Sequence, residues 1–256
     1  MSSNQSVTEN PAKCCKTSRR ELLETLAATG AVAAIGLGAT APALAAAAAA
    51  PEAGPDSTLT PERALKEVMD GNARFVAGAP TAHLKDLAII KARAAEGQWP
   101  VVGVLSCADS RVPVEMVFDE PIGRLFVTRV AGNITTPEII ASLEYGVAVL
   151  GIKAVVVMGH SSCGAVKAAI ENPEVPGQIS ALFPALLPAV YMSASSDPMV
   201  VTRQNAVIQA ATLINSSPVV EAKVKAGELK VVPAVYDVAT GRVEMLPIPP
   251  AMRVGK

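Results

Sequence analysis

The chain has 256 residues and a formal net charge of −1, with 22 Lys+Arg against 23 Asp+Glu and 50% hydrophobic residues. That length allows one domain of ordinary size, or at most two small ones. A near-neutral balance without a basic run excludes the electrostatic footprint of a nucleic-acid binder and gives an anionic membrane surface nothing to hold.

The N-terminus reads as an address. Residues 17–23, TSRRELL, place Arg19 and Arg20 ahead of an Ala/Gly/Leu/Ile run from about Leu26 to Leu44. Ala-x-Ala patterns follow at Ala41/Ala43 and Ala43/Ala45. A charged region, an apolar region and a small-residue cleavage zone make a secretory signal. The paired arginines resemble a twin-arginine export signal, so a periplasmic or extracellular location is expected. A transmembrane anchor is the rival, since about 20 apolar residues span a bilayer. The run is only weakly apolar, however, and no stable membrane insertion is expected after cleavage. Residues 1–50 are therefore expected to be export signal and linker, and residues 51–256 a single domain. Cys14 and Cys15 would leave with the signal.

Thr60-Pro61-Glu62 reads as an N-cap, a first-turn proline and an early acid. Leu65, Val68, Met69, Asn72, Phe75 and Val76 then recur at helical spacing. Residues 78–80, Gly-Ala-Pro, stop that helix, and a second runs over about 85–95. Short apolar runs at 101–106 and 125–130 predict strands. A helix over 137–150 opens on Pro137, with Thr135 or Thr136 as its cap. Residues 154–159 predict a strand covered on both faces, because their β-branched run does not alternate. Helices over 164–170 and 203–216 and strands over 230–237 and 242–246 complete the pattern. Residues 172–200, rich in Pro and Ser, are assigned to no element. Alternating strands and helices predict an α/β fold with a mainly parallel central sheet flanked by helices.

In such sheets ligands gather beyond the carboxyl ends of strands. Two polar motifs fall there: Cys107-Ala-Asp109-Ser-Arg111 after the 101–106 run, and His160-Ser-Ser-Cys163-Gly164 after the 154–159 run. Cys, His and carboxylate are the ligand set zinc prefers, bound tetrahedrally with Zn–S near about 2.3 Å. Cys107, His160 and Cys163 leave a fourth position for water or for Asp109. The planar fork of Arg111 suits that carboxylate. A Cys107–Cys163 disulfide is the rival in an oxidising compartment. His83 is expected in a loop, with a surface or local structural role.

At these residues the sequence resembles the β-class carbonic anhydrases, whose pattern is C-x-D-S-R followed some fifty residues later by H-x-x-C-G. Residues 67–77 (EVMDGNARFVA), 129–133 (RVAGN) and 143–147 (LEYGV) support the likeness, which runs over about 60–246. The resemblance implies the β-carbonic anhydrase fold, a Zn2+ cofactor on Cys107, His160 and Cys163, and reversible hydration of CO2 to bicarbonate. Zinc hydroxide would attack CO2, while the Asp109/Arg111 dyad orients it and gates the fourth zinc position. Gln98, Phe126 and Tyr145 match substrate-pocket positions, and Gly164 a glycine whose N–H contacts bicarbonate. The family's sites lie at dimer interfaces, so a homodimer or higher even oligomer is implied. One subtype carries a tryptophan three residues before the first zinc cysteine, lining an inhibitory bicarbonate site. Val104 stands there in this chain and Trp99 lies elsewhere, so that inhibition is not expected. Hydrolysis of a CO2 analogue (CS2 or COS) and a non-catalytic zinc protein are the alternative functions.

Overall fold

The structure, a computed structural model, describes residues 56, 58–83 and 86–252. The segment expected to be an export signal, with Cys14 and Cys15, lies outside the described residues.

Helix α1 (Pro61–Val76) starts as its residues dictate. Thr60 is extended, its hydroxyl accepts from Arg63 N–H, and Pro61 opens the first turn. Ala64, Leu65, Val68 and Asn72 form its buried stripe. Helix α2 (Asp86–Arg93) buries no residue. Strand β1 (Val102–Ser106) follows, then the single turn α3 (Val114–Val117) and strand β2 (Leu125–Arg129). Helix α4 (Pro137–Ala148), capped by Thr136, leads to β3 (Ala154–His160) and α5 (Gly164–Glu171). Helices α6 (Phe183–Ser193), α7 (Pro198–Ser216) and α8 (Pro218–Lys225) precede β4 (Lys230–Tyr236) and β5 (Val243–Met245).

The five strands form one sheet in the order β2-β1-β3-β4-β5, parallel except for β4–β5. β1 and β3 are buried at every position, as the unbroken apolar runs require of strands covered on both faces. One core holds Val102, Val104, Val156 and Met158 with Val68 of α1. The opposite face carries Leu105, Val155 and Val157 with Leu143, Leu213 and Val220 from α4, α7 and α8. β5 is antiparallel because residues 237–242 turn the chain straight back. Asn72 of α1 holds that turn: its amide donates to Val117 O and Gly241 O, and its oxygen accepts from Val243 N–H.

Residues 172–200 are more ordered than their composition predicts. They form a 3-10 turn at Ile179–Leu182, then α6, and α7 begins at Pro198, capped by Asp197, rather than at 203. Pro184 and Pro198 sit in first turns, where a missing N–H costs nothing, so they mark starts and not breaks. α8, also opened by a proline, is a further helix that the sequence pattern does not reveal. Among the described residues, no single helix is long and apolar enough to cross a membrane.

Two interactions in this frame carry predictions. A Cβ on Gly71 would sit 1.7 Å from the Phe118 carbonyl oxygen. Backbone cannot yield cheaply there, so Gly71→Ala is expected to destabilise the fold by about 3 kcal/mol or more, measured by denaturant unfolding. A loss under about 1 kcal/mol would show that α1 shifts freely.

The Asp119 side chain is wholly buried against Arg74 and accepts N–H bonds from Thr81 and Ala82. Burial pushes its carboxyl up, but the Ala82 N–H, Arg74 and the Thr81 donors outweigh it and hold the group at about 2. A carboxylate depressed in the fold adds stability that is complete above its unfolded value, near 3.9, and lost as pH falls through the folded one. Asp119→Asn should therefore flatten the stability profile between roughly pH 4 and pH 2. An unchanged acid limb in chemical unfolding would count against this ion pair. His83 has the expected local role, bridging the Asp86 carboxylate and the Glu115 carbonyl.

Candidate metal centre

The parallel register brings the two motifs together. Ser106 pairs with Met158, so β1 and β3 end side by side and deliver Cys107 and His160 to one place. Cys163 caps α5 just beyond β3. The ligand atoms of Cys107, His160 and Cys163 all lie within 4.8 Å of one another. The residues are 3%, 0% and 2% exposed, and both cysteines are free thiols, not a disulfide.

The imidazole orientation follows from its neighbour. His160 Nδ1 lies 2.9 Å from the Ser161 carbonyl oxygen, which only accepts, so Nδ1 carries the proton. Nε2 is then a lone pair, buried and without a hydrogen-bond partner. A buried acceptor left unpaired is costly. A cation held between this nitrogen and two thiolates removes that cost. Two sulfurs and one imidazole nitrogen, with the second ring nitrogen anchored to a carbonyl, suit zinc.

Hydrogen bonding from Cys163 lowers the Cys107 thiol pKa against the opposing push of burial, with His160 and the Gly132 and Asp109 N–H groups adding to the lowering. Cys163 is pushed up, first by Cys107 and then by burial, while the Val166 and Ala165 N–H groups pull the other way. Two adjacent thiolates repel; a bound dication offsets that repulsion.

Asp109 stands beside the trio. Arg111 grips it with Nε to Oδ1 at 3.0 Å and a terminal nitrogen to Oδ2 at 2.7 Å, and Arg111 N–H donates to Oδ1 at 2.9 Å. This grip holds the Asp109 carboxyl well below the usual carboxylate range. Oδ2 comes within 3.9 Å of His160 Nε2. Arg111 also reaches Ser162 O, tying the first motif to the second. Gly164 is exposed at the start of α5 and borders an open cleft of about 560 Å³ with Ser162, Cys163, Lys167 and Met199.

The other expected pocket residues are not at this centre. Phe126 pairs with Gly103, four positions before Cys107, roughly 13 Å along the strand. Its ring lies 6.3 Å from that of Tyr145, which is 47% exposed on α4. Gln98 is exposed on the loop before β1, at the opposite end of that strand from Cys107. Val104 is fully buried in the α1-side core, and Arg93 lies over Trp99. Two contributors went unread in the sequence. Arg129 clamps the first motif by donating to Cys107 O and Asp109 O. Gly132 N–H donates to Cys107 Sγ at 3.3 Å. Both lie in the 129–133 segment, whose polar and glycine residues beside a strand end were the available signal.

The fold and site thus define a parallel α/β protein with a buried Cys/His/Cys trio and an ion-paired carboxylate at its strand ends. A carbonic anhydrase family model matches residues 101–243. A carbonic anhydrase of Mycolicibacterium smegmatis is 36% identical over 194 residues, covering 72% of this chain and 93% of that protein. The β-carbonic anhydrase of Coccomyxa, solved in complex with acetazolamide, is 27% identical with a TM-score of 0.55, over 71% of this chain and 86% of its own. One of two tetrameric β-carbonic anhydrases solved from Sordaria macrospora is 25% identical with a TM-score of 0.57, over 62% and 86%. The chain belongs to the β-carbonic anhydrase family.

Proposed function

We propose that this carbonic anhydrase uses zinc, held by Cys107, His160 and Cys163, to convert CO2 and water reversibly into bicarbonate and a proton. The observation that carries the metal is the buried, unpartnered Nε2 of His160 facing two thiols. When bound, zinc supplies Lewis acidity that brings the pKa of coordinated water from 15.7 to about 7.

The chain's own residues then do the positioning. Asp109, kept anionic by Arg111, accepts a hydrogen bond from the attacking water and turns its free lone pair toward the carbon. The Gly164 N–H, at the open start of α5, donates to a bicarbonate oxygen. Release of Asp109 by Arg111 would let the carboxylate turn to the metal and close the fourth position. The test is CO2 hydration by stopped flow, paired with metal analysis of the purified enzyme. Stoichiometric zinc and rapid hydration are expected; a fully active zinc-free enzyme would overturn the proposal.

Gln98, Phe126 and Tyr145 serve the pocket of a second copy. What supports this is their place away from their own chain's centre, the exposure of Tyr145 and the tetrameric relative. Sedimentation of a fully active monomer would exclude it. Export by the twin-arginine route rests on Arg19, Arg20 and the apolar run behind them. Cell fractionation that leaves all activity in the cytoplasm would exclude that.

A further inference from the structure

We infer that Asn205 is a positioning residue of the metal centre: it fixes Gly132 so that the Gly132 N–H donates to the Cys107 sulfur. The inference rests on the zinc assignment above. The inward face of α7 is mainly apolar, with Val201, Ala206, Ala210 and Leu213 buried. Two amides interrupt it, Asn205 at 0% and Gln209 at 3% exposure. Four residues apart, they share one helix face. Burying an amide is unfavourable unless its donors and acceptors find partners, so the partners show what these two hold.

The partners form a chain. Thr135 N–H donates to Gln209 Oε1 at 2.8 Å. Gln209 Nε2 donates to Asn205 Oδ1 at 3.1 Å and to Ala185 O at 2.9 Å. Asn205 Nδ2 donates to Gly132 O at 2.9 Å. Backbone groups at the two ends fix both amide orientations. Thr135 N–H only donates and Gly132 O only accepts, so turning either amide over breaks bonds on both of its sides.

The residue at the end of this chain has an uncommon backbone. Gly132 has φ 76° and ψ 12°, and Asn133 follows at φ 44°. Both are left-handed, a region that glycine and asparagine enter most readily. A Cβ on Gly132 would also press on Leu186 at 3.1–3.2 Å. In this turn the two backbone groups of Gly132 face opposite tasks: its C=O is held by Asn205, and its N–H meets Cys107 Sγ, with both residues buried. An N–H donated to a thiolate withdraws electron density from it. The sulfur then gives less charge to a metal, which leaves the metal a stronger Lewis acid. The Asn205 side chain bonds to Gly132, Asn133 and Gln209, so it acts on the centre through Gly132.

The test reads the sulfur itself. In cobalt-substituted enzyme, Asn205→Leu should move the sulfur-to-cobalt charge-transfer band to lower energy. Zinc affinity, by chelator competition, should fall at least about 10-fold, because the Gly132 turn no longer holds the Cys107 sulfur in place for the metal, which outweighs the sulfur's stronger donation. Gln209→Met, which leaves Asn205 in place but unoriented, should move the band the same way by less. Thr202→Val, one turn earlier on α7, where a buried hydroxyl has no partner, should leave the band in place. In wild-type enzyme loaded with an NMR-active cadmium isotope, coupling from the metal to the Gly132 amide proton is expected, and this needs no variant. Absence of that coupling overturns the inference. So does an Asn205→Leu enzyme that loses thermal stability while its band and zinc affinity stay unchanged, since Asn205 would then be packing alone. A wild-type enzyme that takes up neither zinc nor cobalt overturns the zinc assignment first, and this inference with it.

Discussion

Cys163→Ser is expected to leave the enzyme folded, essentially without zinc, and slower in CO2 hydration by at least about 10³-fold. Serine fits the volume of the buried thiol, and Cys163 lies at the end of α5 rather than inside it, so the helix survives. The hydroxyl, however, does not ionise near neutral pH and is a poor ligand for zinc, which prefers thiolate and imidazole. Without the metal, water keeps its pKa of 15.7 instead of about 7. That difference of nearly nine decades in ionisation makes a loss of three decades a conservative expectation. Elemental analysis and stopped-flow hydration on the same preparation provide the check. A variant that retains one zinc per chain at wild-type affinity would remove Cys163 from the ligand set.

Asp109→Ala is expected to separate binding from turnover. Asp109 is not one of the three clustered candidate ligands, so zinc content should remain near wild type while kcat/KM falls by about 10²-fold or more, the scale for losing the alignment of a reacting group. The pH dependence follows from the same geometry. Arg111 holds the Asp109 carboxyl well below the usual range, so protonation of Asp109 does not produce the acid limb of the activity profile. In Arg111→Ala that hold is gone, the carboxyl rises toward its ordinary value near 3.9, and the freed side chain can turn to the metal. Arg111→Ala should therefore lose activity at a higher pH than wild type, through closure of the fourth position. Near wild-type turnover in Asp109→Ala, or an acid limb unmoved in Arg111→Ala, would reject the dyad as the orienting and gating device.

Some features lie in the sequence because their cause is local. Thr60-Pro61 and Thr136-Pro137 start helices with their own side chains and ring. The unbroken β-branched run at residues 154–159 is a strand buried on both faces wherever it is placed in the sheet. Cys107, His160 and Cys163 are legible for a related reason: polar residues immediately after two such runs must emerge at strand ends, and their chemistry names the metal class before geometry is known. Residues 172–200 resisted because proline signals both a break and a first turn, and only the packing of Phe183, Leu186 and Ala189 against Val166 and Val201 decides between them.

What the residues alone determined is therefore the α/β class, the candidate Cys/His/Cys trio and the arginine beside the carboxylate. Tertiary structure decided the rest, through contacts between distant segments. It brought Cys107 up to His160 and Cys163, tied Arg111 to the Ser162 carbonyl, pinned the turn before β5 to Asn72, and set Asn205 behind Gly132 across 73 positions of chain. It also set Phe126 away from the centre of its own chain, because strand register gives it a fixed height in the sheet, and with it Tyr145, whose ring lies 6.3 Å away. A side chain's type shows which bonds it is able to make. Which of them it makes depends on what the fold brings within about 3 Å of it.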